Sequence, residues 1–244
     1  GRWRPHSWLV RAAARACARA GLSVLCVDAG PLDQAGARWV NGVPMWTFDE
    51  ADVPRPAAPE LRGEGDTFHL FAGWGPDRVA VDTRGFAEVD MRSLVARLQA
   101  DAVAAGARLE GERRVLGWRP DGAGAVVDLV GAAVGADVVV DASGMSGAAL
   151  VPRSLLEPGE ICVAAQAVHV VTDLQAARAW YRQQGVPTDD TLCFTSVAGG
   201  FSVVNVRLEL NHEPPEIALL AGSIPGLGHP SGVEVLRQFV SAQR

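Results

Sequence analysis

Residues 9–30 read LVRAAARACARAGLSVLCVDAG, and this stretch decides the fold class. Its first half is rich in Ala and Arg, which both have high helix propensity, so it predicts a helix. Gly21 supplies a turn after that helix, and the run SVLCV at residues 23–27 indicates a buried strand. Asp28 stands at the end of the strand. A helix followed by a buried strand predicts an α/β protein with a parallel sheet.

The position of Asp28 suggests one half of a dinucleotide-binding βαβ unit. In such a unit an acid follows a glycine-rich pyrophosphate turn by roughly 20 residues and hydrogen-bonds a ribose. Residues 1–10, GRWRPHSWLV, contain no such turn, and bulky side chains stand where glycines would let the backbone approach phosphates. We therefore interpret residues 9–30 as the second half of the unit. The same succession also occurs in α/β proteins that bind no nucleotide.

Composition limits the classes of partner. The chain has 244 residues, is 48% hydrophobic and carries a net charge of −6, which suits one large domain or two small ones. Its charges form no acidic block or basic stripe, so we expect neither nucleic acid nor an anionic membrane as a partner. No apolar run reaches the roughly 20 residues that cross a bilayer, and no signal peptide precedes the helix, so we expect a cytoplasmic protein.

Several kinds of chemistry are excluded by residue type. The four cysteines and five histidines are dispersed, so we expect neither disulfides nor a metal site. All basic residues are Arg, which excludes a Walker-type phosphate loop and a lysine Schiff base. A chain that begins at Gly1 and stops at Arg244 also suggests an excerpt of a longer protein.

The first part of the chain alternates irregular and regular segments. Residues 31–87 form an excursion that is Pro-, Gly- and Trp-rich up to residue 59 and then contains a predicted hairpin. Apolar spacing predicts an amphipathic helix over 89–105. The predicted strands are Thr67–Leu70 and Arg78–Asp82 in the hairpin, then Arg108–Trp118, Ala125–Val130 and Asp137–Val140, with a turn over 131–135. The last strand is continuous and apolar, which indicates a return to the parallel sheet.

The last third predicts an antiparallel layer. Asp173 is placed as the N-cap of a helix that runs to Gln184, and a final helix starts near Val233. The strands follow at hairpin-like intervals and are predicted over Val163–Val171, Thr191–Ser196, Phe201–Glu209 and Glu216–Leu220. Ser143 and Ser146 lack the G-x-S-x-G elbow of hydrolases, so a serine nucleophile is disfavoured.

Three blocks together resemble one superfamily. They are AGLSVLCVDAG (20–30), EVDMRSLVARLQADAVAAGARLEGERRVLGW (88–118) and GADVVVDASGMSG (135–147). Their order and spacing resemble the FAD-binding domain of the flavoproteins that include para-hydroxybenzoate hydroxylase, geranylgeranyl reductases, lycopene cyclases and flavin-dependent halogenases. The resemblance covers residues 9–147. It implies an incomplete Rossmann-like FAD-binding domain with a β-meander over 1–152 and part of an antiparallel substrate domain over 153–244.

The resemblance also implies a set of cofactor-binding residues. Asp28 matches the ribose acid, and Arg92 matches, within one position, the Arg at a helix start that lies against the FAD phosphate and ribose. The other matches are Arg38 near the cofactor, Val115 with its backbone at the adenine, and the strand-end D-x-x-G turn Asp141–Gly144. Arg92 can equally belong to a solvated helix face, Val115 can be an ordinary strand residue, and Asp141 can hydrogen-bond its own turn.

The expected activity follows from the cofactor. The resemblance implies an FAD-dependent reductase or monooxygenase with an apolar small organic substrate and an electron donor such as NAD(P)H. The segment AGGFSVVNVR to GSIPGLGHPSG, residues 198–232, resembles geranylgeranyl-reductase-like proteins and favours reduction. Halogenation is disfavoured, because the chain has no Lys and no W-x-W-x-I-P motif. No residue stands out as catalytic.

Two alternatives remain open. The missing glycine turn, together with the absence of a G-D block after Pro152, favours a truncated or degenerate domain that binds no FAD and has no activity. An NAD-dependent dehydrogenase would share Asp28 but continue with parallel strands after Arg108.

Overall fold

A computed structural model describes residues 7–64, 67–144, 147–148, 150, 156–211 and 213–242. The chain divides into two compact units, drawn from residues 1–64 and 85–154 and from residues 65–84 and 155–244. Residues 65–84, which lie between the two parts of the first unit in the sequence, belong to the second unit. Residues 1–6, where a phosphate turn would be sought, and residues 145–146 of the predicted DASGMSG turn lie outside the described residues.

The segment that predicted the fold class forms the helix, turn and strand expected of it. Helix α1 (Ser7–Arg19) is followed by Gly21 at φ +82° and by strand β1 (Leu25–Val27). A positive φ is readily adopted only by glycine, which explains the residue at the turn. Strand β1 pairs in parallel with β7 (Arg108–Glu110). Two small residues of α1, Ala14 and Ala18, pack in one buried cluster with Cys26 of β1. The other buried members of this cluster are Ala102 and Ala107.

The region predicted to be irregular up to residue 59 contains two regular elements, so that prediction is corrected. Strand β2 (Val40–Pro44) and helix α2 (Trp46–Glu50) are both short. Phe48 of α2 is 4% exposed and packs in the same cluster as Val89 and Leu98. Elements of five residues are too short to show a clear hydrophobic period, so contacts from distant residues define them.

A small antiparallel sheet and a long helix complete the core of the first unit. The sheet has the order β2-β6-β3, with β3 at Leu61–Glu64 and β6 at Phe86–Asp90. Helix α3 (Met91–Ala104) begins directly after β6. Asp90 is its N-cap, and the Asp90 side chain accepts a hydrogen bond from the Ser93 backbone N–H. The predicted helix over 89–105 is therefore confirmed, with its start two residues later.

The predicted β-meander is present, although its strands differ from those predicted. It consists of β8 (Val115–Asp121), β9 (Gly124–Leu129) and β10 (Ala132–Ala136) in the order β10-β9-β8. The predicted single strand over 108–118 is split into β7 and β8. Gly111 lies at the split, where a Cβ would be 3.0 Å from the Gly30 carbonyl oxygen. The predicted turn over 131–135 is mostly strand β10.

The prediction of a buried strand at Asp137–Val140 is wrong. These residues form no strand, and Val138 and Val140 are 78% and 66% exposed. A buried strand needs a neighbouring strand that satisfies its backbone hydrogen bonds. Among the described residues, β1 pairs only with β7 in this sheet, and nothing pairs with 137–140.

The second unit is a six-stranded sheet with two helices on one face. Its order is β11-β14-β13-β12-β4-β5, with β4 (Thr67–Ala72), β5 (Arg78–Asp82), β11 (Val163–Val170), β12 (Thr191–Thr195), β13 (Ser202–Glu209) and β14 (Glu216–Ser223). All neighbours are antiparallel except β12 and β4, which are parallel. Helices α4 (Leu174–Gln183) and α5 (Gly232–Ala242) cover one face. The predicted antiparallel layer, including the Asp173 N-cap, is confirmed.

The two units give a mixed α/β fold, with a Rossmann-like helix–strand pair and a β-meander in one unit and a mainly antiparallel sheet in the other. Among the described helices, none combines the length and apolar character needed to span a bilayer.

Candidate functional site

Asp28 lies directly after β1 and has both carboxylate oxygens engaged. Its Oδ1 accepts a hydrogen bond from the Gly30 N–H at 2.9 Å, and its Oδ2 lies 2.9 Å from Nη2 of Arg11. The Asp28 side chain is 14% exposed, whereas that of Arg11 is only 1% exposed. The carboxylate is therefore held in one orientation at the end of the strand. The partner of Asp28, Arg11 on α1, was not predicted from the sequence.

The Arg11 guanidinium also affects its other neighbour in the core. Its Nη1 donates to Sγ of Cys26 at 3.7 Å. Burial raises the pKa of the Cys26 thiol, and the nearby Arg11 charge offsets only part of that rise. Arg11 Nε is buried without a hydrogen-bond partner in the described part of the chain. The Asp28 carboxylate thus balances the charge of the Arg11 guanidinium, and the Cys26 thiol is a second, weak acceptor.

The loop after β1 is held by the segment 110–113. The Asp28 N–H donates to the Glu110 carbonyl at 2.9 Å, and the Arg113 N–H donates to the Asp28 carbonyl at 2.8 Å. The Glu112 N–H donates to the Gly30 carbonyl at 2.9 Å. Val115, at the start of β8, follows this segment by two residues and is half-buried. Val115, the residue predicted to contact adenine, therefore lies two residues after a segment that is hydrogen-bonded to Asp28.

Arg38 and Arg92 lie on two segments that touch. The Met91 N–H at the start of α3 donates to the Trp39 carbonyl at 3.2 Å. Gly36, at φ +95°, packs so tightly that a Cβ would lie 2.8 Å from the Met91 carbonyl oxygen. Arg38 is exposed on this loop, and Arg92 is the second residue of the helix. The tight glycine contact fixes the loop against the helix start.

Arg92 has an unsatisfied buried donor. Its Nε is buried and has no hydrogen-bond partner among the described residues. Buried polar groups are almost always paired, so such a donor needs an explanation. An anionic group such as a phosphate is a strong hydrogen-bond partner for a guanidinium.

Asp141 organises its own turn. Its Oδ1 accepts from the N–H and the hydroxyl of Ser143, and its Oδ2 accepts from the Leu150 N–H at 3.0 Å. Gly144 has φ +76°, and the Leu150 carbonyl accepts from Nε1 of Trp118 at 2.6 Å. The local hydrogen bonding weighed as an alternative for Asp141 is therefore present.

The six-stranded sheet of the second unit has a second face, opposite α4 and α5. Residues of β12, β13 and β14 alternate, so that Phe194, Val206 and Leu219 face α4 and α5 in the core cluster. The residues between them point to the other face. One row runs across that face through the strand registers and consists of Gln166, Leu220, Asn205, Cys193, Leu70 and Val79. We call these six residues the central row.

The central row combines apolar and amide groups. Val79 is 65% exposed and Leu70 is 36% exposed, while Cys193 is 5% exposed. Burial raises the pKa of the Cys193 thiol to about 11, so it stays protonated at neutral pH. Asn205 Oδ1 is buried with no hydrogen-bond partner in the described residues. Polar residues at alternate positions of SVVNVRLE, residues 202–209, were the sequence signal for this face.

The described residues contain no group of three or more His, Cys, Asp or Glu side chains arranged to hold a metal ion.

Comparison with known proteins identifies the fold. No protein-family profile and no curated protein sequence matches the chain. Among solved structures, the halogenase PltM matches with a TM-score of 0.71 and 15% identity over 97% of this chain and 54% of PltM. PltM has also been crystallised with phloroglucinol and FAD.

Two other solved structures extend the comparison. A geranylgeranyl bacteriochlorophyll reductase-like protein from Thermoplasma acidophilum matches with a TM-score of 0.63 and 16% identity over 88% of this chain and 53% of its own. CtdE, in complex with FAD and a substrate, matches with a TM-score of 0.67 and 14% identity over 90% of this chain and 55% of CtdE. The chain spans about half the length of these structures. The chain thus shares the fold of these three structures, to which it is 14–16% identical.

Proposed function

We propose that this chain is part of an FAD-dependent oxidoreductase that acts on a small organic substrate. The observation that carries the proposal is Asp28, an oriented carboxylate at the end of β1, in a fold whose structural neighbours include FAD complexes. Acids at this position of Rossmann-like units hydrogen-bond ribose hydroxyls. The unsatisfied Arg92 Nε supplies independent support, since it calls for an anionic partner.

Each predicted residue would have a distinct binding role. Asp28 would accept hydrogen bonds from ribose, and Arg92, with Arg38 on the adjoining loop, would neutralise phosphate. The Val115 backbone would contact adenine, and the turn Asp141–Gly144 would border it. When bound, FAD would supply the redox chemistry, because flavins transfer hydride or react with oxygen. The chain would contribute orientation and charge.

The substrate would bind the sheet face that carries the central row. The central row offers apolar area at Leu220, Leu70 and Val79, and amide groups at Gln166 and Asn205. A mainly apolar pocket with a few polar groups is typical of small-molecule sites. The amide side chains of Gln166 and Asn205 would hydrogen-bond a substrate hydroxyl or amine. These features favour an apolar organic substrate that carries at least one donor.

The type of oxidation or reduction is a separate proposal. We favour reduction, with NAD(P)H or another donor restoring the flavin, because residues 198–232 resemble reductase-like sequences. The fold itself accommodates a halogenase as well as a reductase-like protein. Fold therefore cannot choose between these reactions. A test of flavin reduction by NADH and NADPH, with product analysis on apolar alkenes and phenols, would separate them.

The decisive experiment is titration of the purified 244-residue chain with FAD. We expect a yellow one-to-one complex and a rise in the thermal midpoint. Asp28→Asn and Arg92→Met should each weaken FAD binding at least tenfold, as expected when a charged hydrogen bond is lost. Asp33→Asn removes an exposed acid nearby and should leave affinity unchanged. A colourless protein without a thermal shift would overturn the proposal.

One observation favours a second candidate, a domain of this fold that binds no FAD. The Asp28 carboxylate is already paired with the buried Arg11, and residues 1–10 contain no glycine-rich turn for the pyrophosphate. In this case the protein would stay colourless after unbound FAD is removed, and neither FAD nor ADP would change the thermal midpoint. Binding of ADP without FAD would instead indicate that the adenosine side alone is competent.

A further inference from the structure

Strand β5 is an unprotected edge of the six-stranded sheet. It is the last strand in the order β11-β14-β13-β12-β4-β5, and all five residues of Arg78–Asp82 are exposed. No described strand pairs with its outer side. Such an edge presents N–H and C=O groups that can pair with another strand.

The direction of those backbone groups follows from the β4–β5 register. The Ala72 N–H donates to the Asp77 carbonyl at 2.9 Å, which makes these two residues a hydrogen-bonded pair. Hydrogen-bonded and non-hydrogen-bonded pairs alternate along an antiparallel ladder. With Leu70 opposite Val79 and His69 opposite Ala80, residues 79 and 81 direct their backbone groups inward. Residues 78, 80 and 82 therefore direct theirs outward.

The outward-directed residues are self-complementary. The strand reads Arg-Val-Ala-Val-Asp, so a two-fold axis through Ala80 places Arg78 of one copy opposite Asp82 of the other. The same axis places Val79 opposite Val81 on the other face. Each of the three outward pairs can exchange two backbone hydrogen bonds. Opposite charges directly across two strands stabilise pairing.

We propose that β5 pairs antiparallel with β5 of a second copy of this chain, with Ala80 opposite Ala80 and Arg78 opposite Asp82. This joins two six-stranded sheets through an isologous contact, the usual form of a homodimer interface. The short length and terminal charges oppose pairing with unrelated strands. In this one register, however, the charges attract.

The surroundings of Arg78 pre-position its charge. Its Nη1 and Nη2 donate to the carbonyls of Gln184 and Gly185 at 2.9 and 2.8 Å, and its guanidinium lies 5.6 Å from the ring centroid of Phe71. These two carbonyl acceptors are uncharged, so they do not neutralise the guanidinium. Asp82 has a local partner in Arg84, but that Arg side chain is 86% exposed, so the pair is solvent-screened. An Asp from a second copy would complete the arrangement.

The other edge, β11, lacks this feature. Its sequence VAAQAVHV has no acid or arginine to set a register. The β5 contact is also small beside the ~1,600 Å² of a standard interface, so a reversible, concentration-dependent dimer is expected.

Charge variants of the full 244-residue chain test the pairing. In sedimentation velocity over a concentration series, we expect the unmodified chain to dimerise reversibly. Asp82→Arg alone and Arg78→Asp alone should each weaken self-association at least tenfold, because each places like charges opposite one another. An equimolar mixture of these two variants should restore dimers, since Arg then faces Asp in both pairs. Asp121→Arg, the same change at the exposed end of β8, should dimerise like the unmodified chain.

Cysteine cross-linking tests the register itself. In a Cys162→Ser background, which removes the exposed native cysteine, Ala80→Cys should form a disulfide-linked dimer on mild oxidation. Paired strands put such residues about 5.5 Å apart at Cα, within disulfide range. Val79→Cys should not cross-link, because its copies lie two positions out of register. A monomer at all concentrations, or dimers unaffected by the charge variants, would overturn the proposal.

Discussion

The Arg11 guanidinium lies 2.9 Å from the Asp28 carboxylate and joins helix α1 to the end of strand β1 inside the first unit. Removing one partner of a buried ion pair leaves the other charge uncompensated, which costs more than the pair contributes. Because Arg11 is 1% exposed, it is the partner that cannot be rehydrated without local unfolding.

Asp28→Asn is therefore expected to lower the free energy of unfolding by about 3 kcal/mol, measured by urea denaturation. Arg11→Met in the same chain should recover at least half of that loss, because no buried cation remains. Asp49→Asn serves as the control, since Asp49 and Arg55 form an exposed pair and the urea midpoint should stay unchanged. Equal losses in the single and double variants would refute the buried-charge explanation.

Asp90 provides a pH-dependent contribution at the start of α3. Its carboxylate accepts from the Ser93 N–H at 2.9 Å and from Nη2 of Arg62 at 3.0 Å. Burial raises the pKa of Asp90, but these hydrogen bonds together outweigh burial and lower it. The folded state thus prefers the charged carboxylate. Its stabilisation is present above the unfolded pKa of about 3.9 and is lost as pH falls through the lower folded value.

Asp90→Ala should cost about 1–2 kcal/mol at pH 7, as expected for an N-cap. In urea unfolding experiments, the difference in the free energy of unfolding between Asp90→Ala and the unmodified chain should shrink as the pH is lowered from 5 towards 2. Asp90→Asn keeps an acceptor for Ser93 but carries no charge, so its smaller loss should also narrow in acid. A gap for Asp90→Ala that is constant with pH would show that the charge of Asp90 contributes nothing.

Local patterns predicted much of the fold. The Ala/Arg run of α1, the turn at Gly21 and the N-cap Asp173 depend on residues within a few positions of one another, and Asp173 indeed accepts from the Ala176 N–H at 2.9 Å. Such features are visible in sequence because the interacting groups are neighbours along the chain.

Long-range pairing could not be predicted in this way. The parallel contact of β4 with β12 pairs His69 with Leu192, which lies 123 positions later in the chain (192 − 69), and no local pattern records it. The error at 137–140 has the same origin. An apolar run VVV fits a buried strand, yet a strand forms only where a neighbour satisfies its backbone.

In the candidate site, too, local features could be predicted from the sequence and long-range contacts could not. Asp28 could be found from its place after a strand, whereas its partner Arg11 could not, because Arg in an Ala-rich helix usually faces solvent. Asn205 could have been found from the period-two polar residues of β13. Its unsatisfied oxygen, however, depends on the neighbouring strands and emerges only from the assembled sheet.

The four cysteines should differ sharply in reactivity. Burial raises the pKa of the Cys193 thiol to about 11, and it also raises that of Cys26, so both remain protonated and inert at pH 8. Cys162 is exposed and should react with a thiol-specific disulfide reagent first. Mass spectrometry of the labelled peptides should find Cys162 modified well before Cys193, and all four modified in urea. Rapid labelling of Cys193 in the native chain would contradict its burial.

Asp190 ties strand β4 to the rest of the second unit. Its Oδ1 accepts from the Thr67 N–H at 3.1 Å, and its Oδ2 lies 2.8 Å from Nε2 of His69, which is itself buried. Both partners belong to β4. Removing the carboxylate would leave a buried ring nitrogen and a backbone donor unsatisfied, and such groups cost about 1–3 kcal/mol each.

Asp190→Ala should therefore lower the free energy of unfolding by about 2–4 kcal/mol, on the basis of two unsatisfied groups. Hydrogen exchange of the peptides that contain β4 should accelerate more than exchange in β13, because the loss is local to the β4–β12 contact. Asp189→Ala changes the adjacent exposed acid and should alter neither measurement. Asp190→Asn retains one acceptor oxygen, whereas its amide nitrogen can only donate, so its loss of stability should fall between those of the two Ala variants. If Asp190→Ala and Asp189→Ala behave alike, the carboxylate does not anchor the hairpin, and apolar packing of Phe71 against Phe194, at 4.8 Å between ring centroids, must hold it instead.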